Sequence, residues 1–143
     1  MSENTRLVER MYDCLATDDW SPASEILSPD VVTQAPGAPA INGPDAFVQF
    51  ARAFKRGLPD SHIVVARTIE SGDSLVVEGA YRGTFTGVLG TPQGDVPGNG
   101  RKLDLPFSDI FDLEAGRISR HHVYYDQVDF LAQLGLMPEP AEA

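Results

Sequence analysis

Leu7, Val8, Met11, Tyr12 and Leu15 recur every three or four residues. That is the spacing of one helical face, and it predicts an amphipathic helix from about Asn4 to Thr17. Ser21-Pro22 reads as an N-cap followed by a first-turn proline, opening a short helix through Leu27. Asp30 to Gln34 reads as a short strand, and Pro36 to Gly43 as a loop. Pro44 opens a third helix that carries Phe47, Phe50, Ala51 and Phe54 on one face and ends at Gly57.

From Ser61 the period changes from helical to alternating. Ile63, Val65 and Ile69 alternate with polar residues, and Ser71-Gly72-Asp73 makes a tight turn. Long strands are expected over Leu75 to Thr86, Arg101 to Leu113 and Arg117 to Asp126. A glycine- and proline-rich loop, Gly87 to Gly100, precedes the second of these, and Glu114-Ala115-Gly116 turns the chain into the third. A last helix is expected over Val128 to Leu134, stopping at Gly135. Helices followed by a meander of strands indicate an α+β domain with an antiparallel sheet, one face of which the early helices must cover.

Polar groups on apolar stripes carry the candidate chemistry. In the strand Arg101 to Leu113 the odd positions are Leu103, Leu105, Phe107, Asp109, Phe111 and Leu113. Alternation turns this set inward, so Asp109 is a carboxylate in the middle of an apolar face. Such a group must be neutral, hydrogen-bonded or beside a cavity; alternatively, a β-bulge turns it outward. In the next strand Ile118, Arg120, His122, Tyr124 and Asp126 share one face, and Ser119, His121, Val123 and Tyr125 share the other. If Ile118 sets the inner face, Asp109, His122 and Asp126 converge on one ligand in a set suited to acid–base work. The alternative is that Val123 and Tyr125 face inward and the polar set faces water.

Composition narrows the partners. The 143 residues are the size of one domain, with residues 1–138 as its body and 139–143 as a disordered Pro/Glu/Ala tail. A formal charge of −10, from 21 acidic and 11 basic residues, argues against nucleic acid and anionic membranes as partners. One cysteine, Cys14, a polar start and no long apolar run fit a cytoplasmic protein. His121 and His122 point to opposite faces of a strand and cannot chelate one metal together. No zinc-site spacing, phosphate-cradling loop, dinucleotide fingerprint or nucleophile elbow is present, and no cofactor is expected.

Gly83-Thr84-Phe85-Thr86-Gly87, Phe107-Ser-Asp-Ile-Phe111, Gly116-Arg-Ile118, and Tyr125-Asp126 followed by Leu131-Ala-Gln-Leu-Gly135 occur in order along the chain. With these words the sequence, from about Arg6 to Pro138, resembles the SnoaL-like polyketide cyclases. Their superfamily also contains ketosteroid isomerase and limonene epoxide hydrolase. The resemblance implies a cone formed by a strongly bent, mostly antiparallel sheet, three N-terminal helices and a short C-terminal helix, commonly as a homodimer. It implies that Asp126 is the acid–base aspartate and that Asp109 matches the oxyanion-hole acid of ketosteroid isomerase. His122 falls where relatives carry an aromatic pocket residue. The isomerase's helical tyrosine aligns with Met11, one residue from Tyr12, and its basic aspartate aligns with Gln34 or Ala35, so steroid isomerisation is not expected. Arg120 would supply the arginine of an epoxide hydrolase's Asp–Arg–Asp set.

The expectation is therefore a cofactor-independent cyclase acting on a hydrophobic linear substrate. Asp126, Asp109 and His122 are its expected catalytic residues. Tyr12, Trp20, Gln34, Phe47, Tyr81, Phe107 and Tyr124 are its expected pocket wall. The ring closes either by aldol-type proton transfer or by templated pericyclic or conjugate bond formation. A non-catalytic binding or dimerisation module and an epoxide hydrolase are the competing readings, because fold alone proves no function.

Overall fold

A computed structural model of the chain describes residues 2–137. The expected tail, 139–143, lies outside the described residues. Helix α1 spans Glu3–Thr17. It is capped by Ser2, whose hydroxyl accepts the Thr5 N–H at 3.0 Å, and it ends at Asp18 in the left-handed region. A single turn, α2 (Ala23–Ile26), leads directly into β1 (Leu27–Gln34). Ser21 does not cap that turn: the position before it is Pro22, and the Ser21 N–H instead donates to the Asp19 carboxylate at 3.0 Å.

The expected loop after β1 contains a two-residue edge strand, β2 (Ile41–Asn42). Helix α3 spans Pro44–Gly57, with Pro44 in its first turn and Lys55 and Arg56 in its last, where cations suit the helix dipole. Strands β3 (His62–Ser71) and β4 (Ser74–Thr84) form a hairpin. The expected loop Gly87–Gly100 contains a second, small hairpin, β5 (Val88–Thr91) with β6 (Gly94–Pro97). Its Leu89 is buried against α3: a Cβ on Gly57 would stand 3.0 Å from the Leu89 side chain. Strands β7 (Lys102–Glu114) and β8 (Arg117–Tyr125) follow, then helix α4 (Gln127–Gln133). Ala115 and Gly116 both take positive φ, as a two-residue hairpin between twisted strands requires.

The six-stranded sheet runs β2-β1-β8-β7-β4-β3, antiparallel except for the β1–β8 pair. It is strongly curved and open, with β2 and β3 at its edges. Two register breaks accompany the curvature. In β3, Val65 pairs with Gly79 and Arg67 with Glu78, leaving Ala66 as an extra residue. Gly79 sits there because a Cβ would come within 2.3 Å of the Val64 carbonyl oxygen. In β8, Ile118 pairs with Leu113 but Arg120 with Asp112, so Ser119 is the extra residue, its hydroxyl donating to the Asp112 carbonyl at 3.0 Å.

Helices α1, α2 and α3 cover the concave face. Met11, Ile26, Leu27, Leu75, Phe111 and Ile118 form the centre of that core, each 2% exposed or less. A second cluster, Leu58, Phe85, Leu89, Leu103, Leu105, Phe130 and Leu134, joins the small hairpin and α4 to the far end of the sheet. No helix among the described residues is long and apolar enough to cross a membrane.

The Ser119 bulge sets which half of β8 faces the core, because side chains alternate strictly on either side of it. Inserting one alanine between Arg120 and His121 should drive His122 and Tyr124 inward and expel His121, Val123 and Tyr125. The expected outcome is loss of a sharp urea unfolding transition followed by circular dichroism. An insertion variant that unfolds cooperatively within about 1 kcal/mol of the parent would show that the inward face of β8 is not fixed by this alternation.

Candidate active site

Strand β7 keeps the alternation expected from its sequence, so Asp109 faces inward and is 4% exposed. Its surroundings supply what a buried carboxylate requires. The Tyr12 hydroxyl, projecting from α1, donates to Asp109 Oδ2 at 2.7 Å. His121, on β8, donates from Nε2 to Asp109 Oδ1 at 2.8 Å. All three side chains are buried. Burial pushes the Tyr12 phenol well above its ordinary range, and the Asp109 charge and hydrogen bond push it further the same way. Tyr12 therefore stays protonated and remains a donor to the carboxylate.

Packing fixes the other two members. The His121 ring stacks on Phe111, its partner across the β7–β8 ladder, with centroids 4.7 Å apart and planes within 5°. Phe47 of α3 meets the same ring edge-on at 5.8 Å, and Trp20 in turn meets Phe47 at 5.5 Å. Tyr12 lies edge-on to Phe107 and Phe111. A hydrogen bond from Nε2 to the carboxylate leaves Nδ1 as the remaining nitrogen of the ring, and Nδ1 is buried with no partner among the described residues. The Thr33 hydroxyl is likewise buried with no partner among the described residues, and Thr33 is the residue opposite His121 in the parallel β1–β8 ladder.

Asp109 and His121 form part of the wall of a partly open cavity of about 100 Å³. The rest of the wall is almost entirely apolar: Met11 and Leu15 from α1, Phe47, Phe50, Ala51 and Phe54 from α3, Phe107, Val123 and Tyr125 from the sheet, and Phe130 from α4. Lys55, Ser61 and Tyr81 add polar atoms elsewhere on the wall. Burial pushes the Tyr81 phenol up to about 12.

The sequence-derived set is brought together only in part. Asp109 lies where expected. His122 does not: the Ser119 bulge reverses the faces of β8, so His121, Val123 and Tyr125 face the cavity, as in the alternative reading of that strand. His122 lies on the outer face, where its Nδ1 accepts from the Tyr124 hydroxyl at 3.1 Å and the two rings stack 4.0 Å apart. Asp126 lies beyond the end of β8 and caps α4. Its Oδ1 accepts the Val128 and Asp129 N–H groups at 2.9 and 3.1 Å, in an exposed position. The expected convergence of Asp126 and His122 with Asp109 is therefore not formed.

Of the expected wall, Phe47, Tyr81 and Phe107 line the cavity. Tyr12 stands behind Asp109, and Trp20 stands behind Phe47. Gln34 is exposed at the end of β1, and Tyr124 is 49% exposed on the outer face. Arg120 also faces outward, into a polar groove with Asp30 and Asp112, so an Asp–Arg–Asp set is not assembled around the cavity. Among the described residues no three His, Cys, Asp or Glu side chains cluster as a metal site would require. His121 is the residue the sequence reading missed. The available signal was its shared face with Val123 and Tyr125, the more apolar half of the strand.

Comparison with known proteins places this geometry. No curated protein matches the sequence. Among solved structures, a protein of Jannaschia sp. CCS1, provisionally named a SnoaL-like polyketide cyclase, superposes with a TM-score of 0.82 at 24% identity, covering 95% of this chain and 94% of the other. IdmH of Streptomyces antibioticus, provisionally named a polyketide cyclase, gives 0.79 at 22% identity, covering 94% and 99%. An LEH-like epoxide hydrolase of M. tuberculosis gives 0.70 at 19% identity, covering 92% and 89%. At these identities the likeness is one of fold. The model of the SnoaL-like polyketide cyclase family, however, matches the sequence itself over residues 5–134. The chain, with its open cone and its buried aspartate, belongs to the SnoaL-like polyketide cyclase family.

Proposed function

We propose that the protein closes a ring in a hydrophobic, carbonyl-bearing substrate of polyketide type, using Asp109 as the acid–base group. The observation that carries this reading is that Asp109, hydrogen-bonded by Tyr12 and His121, lies on the wall of a largely apolar cavity. Two donors occupy one lone pair on each carboxylate oxygen and leave the other lone pairs free. In the aldol scheme Asp109 removes a proton from carbon next to a carbonyl. The resulting enolate carbon attacks a second carbonyl of the same chain and forms the ring bond. The new alkoxide takes the proton back from Asp109, which restores the carboxylate. The donors Tyr12 and His121 hold the aspartate in place through both transfers, and no external cofactor enters the balance.

Size sets a condition on this scheme. A cavity of about 100 Å³ is smaller than the roughly 150 Å³ that accommodates a benzene-sized guest. A polyketide-sized chain therefore requires the half-buried rings of Phe50 and Phe54 to swing outward, as interface side chains commonly do on binding. The same aromatic wall supports a second version, in which folding the substrate into a reactive shape supplies most of the rate.

A single substitution separates the two versions. With N-acetylcysteamine thioesters of linear tri- and tetraketides as substrates and ring closure followed by liquid chromatography and mass spectrometry, Asp109→Asn should lower turnover about 100-fold or more. A loss of only a few-fold in a normally folded variant would replace proton transfer by templating. Asp126→Ala is expected to cost about 1 kcal/mol of stability in urea, through loss of the α4 cap, while turnover per folded molecule holds. A collapse of turnover in folded Asp126→Ala would return that residue to the chemistry.

A further inference from the structure

The cavity has a second polar pole. Lys55 lies four residues after Ala51 and eight after Phe47, both buried, so it continues the inward stripe of α3. Its neighbours on the helix show the contrast. Arg52 pairs with Asp18 at 3.3 Å and Arg56 with Asp95 at 3.1 Å, both at the surface. Lys55 has no carboxylate partner within the described residues, in a protein with 21 acidic and 11 basic side chains. The nearest acids are committed elsewhere, Asp18 to Arg52 and Asp60 to the Thr84 N–H and hydroxyl.

The ammonium is nonetheless held in place. It donates to the Ala16 carbonyl at 2.7 Å and the Ser61 carbonyl at 2.9 Å, which leaves one of its three N–H donors uncommitted. Lys55, Ser61 and Tyr81 line the same cavity as Asp109 and His121. Ala16 follows Tyr12 by one turn of α1, so the backbone anchors of the two poles stand about 6 Å apart. Among the described residues Lys55 is the only lysine or arginine on that wall. A single positive charge balances a carboxylate and under-compensates a doubly charged phosphate. The overall charge of −10 repels anions at long range, but that field is screened beyond about 8 Å in physiological salt, whereas contact with Lys55 is local.

We propose that the Lys55 pole receives a carboxylate, so that the ligand of this cavity is an apolar molecule with a free acid at one end and its reacting carbon toward Asp109. The orientation toward Asp109 rests on the cyclase reading above; recognition of the acid does not.

The test uses 3-phenylpropanoate and its neutral amide as probes, with binding measured by calorimetry in low salt. The wild-type protein should bind the acid about tenfold more tightly than the amide, the equivalent of about 1.4 kcal/mol. The preference should shrink as sodium chloride is raised. Lys55→Gln keeps N–H donors for the two carbonyls but removes the charge, and should bring acid and amide within a factor of about two of each other. Lys55→Arg should retain the preference. Equal affinities in the wild type, no binding of either probe, or a preference that survives Lys55→Gln would overturn the inference. An acid preference in a wild-type protein that closes no ring in any of the ketide substrates would uphold the carboxylate pole and remove the cyclase reading alone.

Discussion

The placement of one negative charge governs the interior of this protein. A carboxylate on an apolar strand face is tolerated only where donors replace the water it has lost. Asp109 draws one donor from a helix and one from the neighbouring strand. Each of those donors is wedged among aromatic rings that also form the core. The site is therefore not an addition to a finished scaffold. The α1–sheet contact, the β7–β8 ladder and the α3 aromatic stripe all meet on the groups that solvate one aspartate.

Curvature does the rest. A flat sheet would leave no hollow beneath the helices, and the two extra residues, Ala66 and Ser119, fall in strands on opposite sides of the central β4–β7 pair. Gly79, which faces the first of them, has room for no side chain. Phe130 of α4 lines the hollow that results and packs in one buried cluster with Leu134 and with Leu89 of the small hairpin. The wall thus comes from elements far apart in sequence, with the Asp109 carboxylate and the Lys55 ammonium on one largely apolar surface.

Much of this was legible in the sequence where periodicity is strong. The stripe from Leu7 to Leu15, the face from Phe47 to Phe54 and the odd positions of Leu103 to Leu113 gave the helices, the long strands and the inward Asp109, because burial on one face leaves a regular mark. The β5–β6 hairpin was hidden because four-residue strands interrupted by glycine and proline look like a loop; Val88, Leu89 and Val96 were its only aliphatic marks. The bulge at Ser119 was hidden for a different reason. It is a backbone event in a strand whose two faces both carry aromatic and polar residues, so alternation alone did not choose between them. Asp126 was misplaced because a helix-capping aspartate and an acid–base aspartate look alike when only the following Gln-Val-Asp is visible.

The extra residue in β8 also has a consequence for how members of this family are compared. Beyond it, a column-by-column match between two chains, only one of which has the bulge, equates a side chain lining the hollow with one pointing into water. His121 and His122 differ by a single position in the alphabetic record but by the full thickness of the sheet in space. Equivalent residues in such proteins have to be matched by the face they occupy, and counting along the strand will transfer chemistry to the wrong histidine.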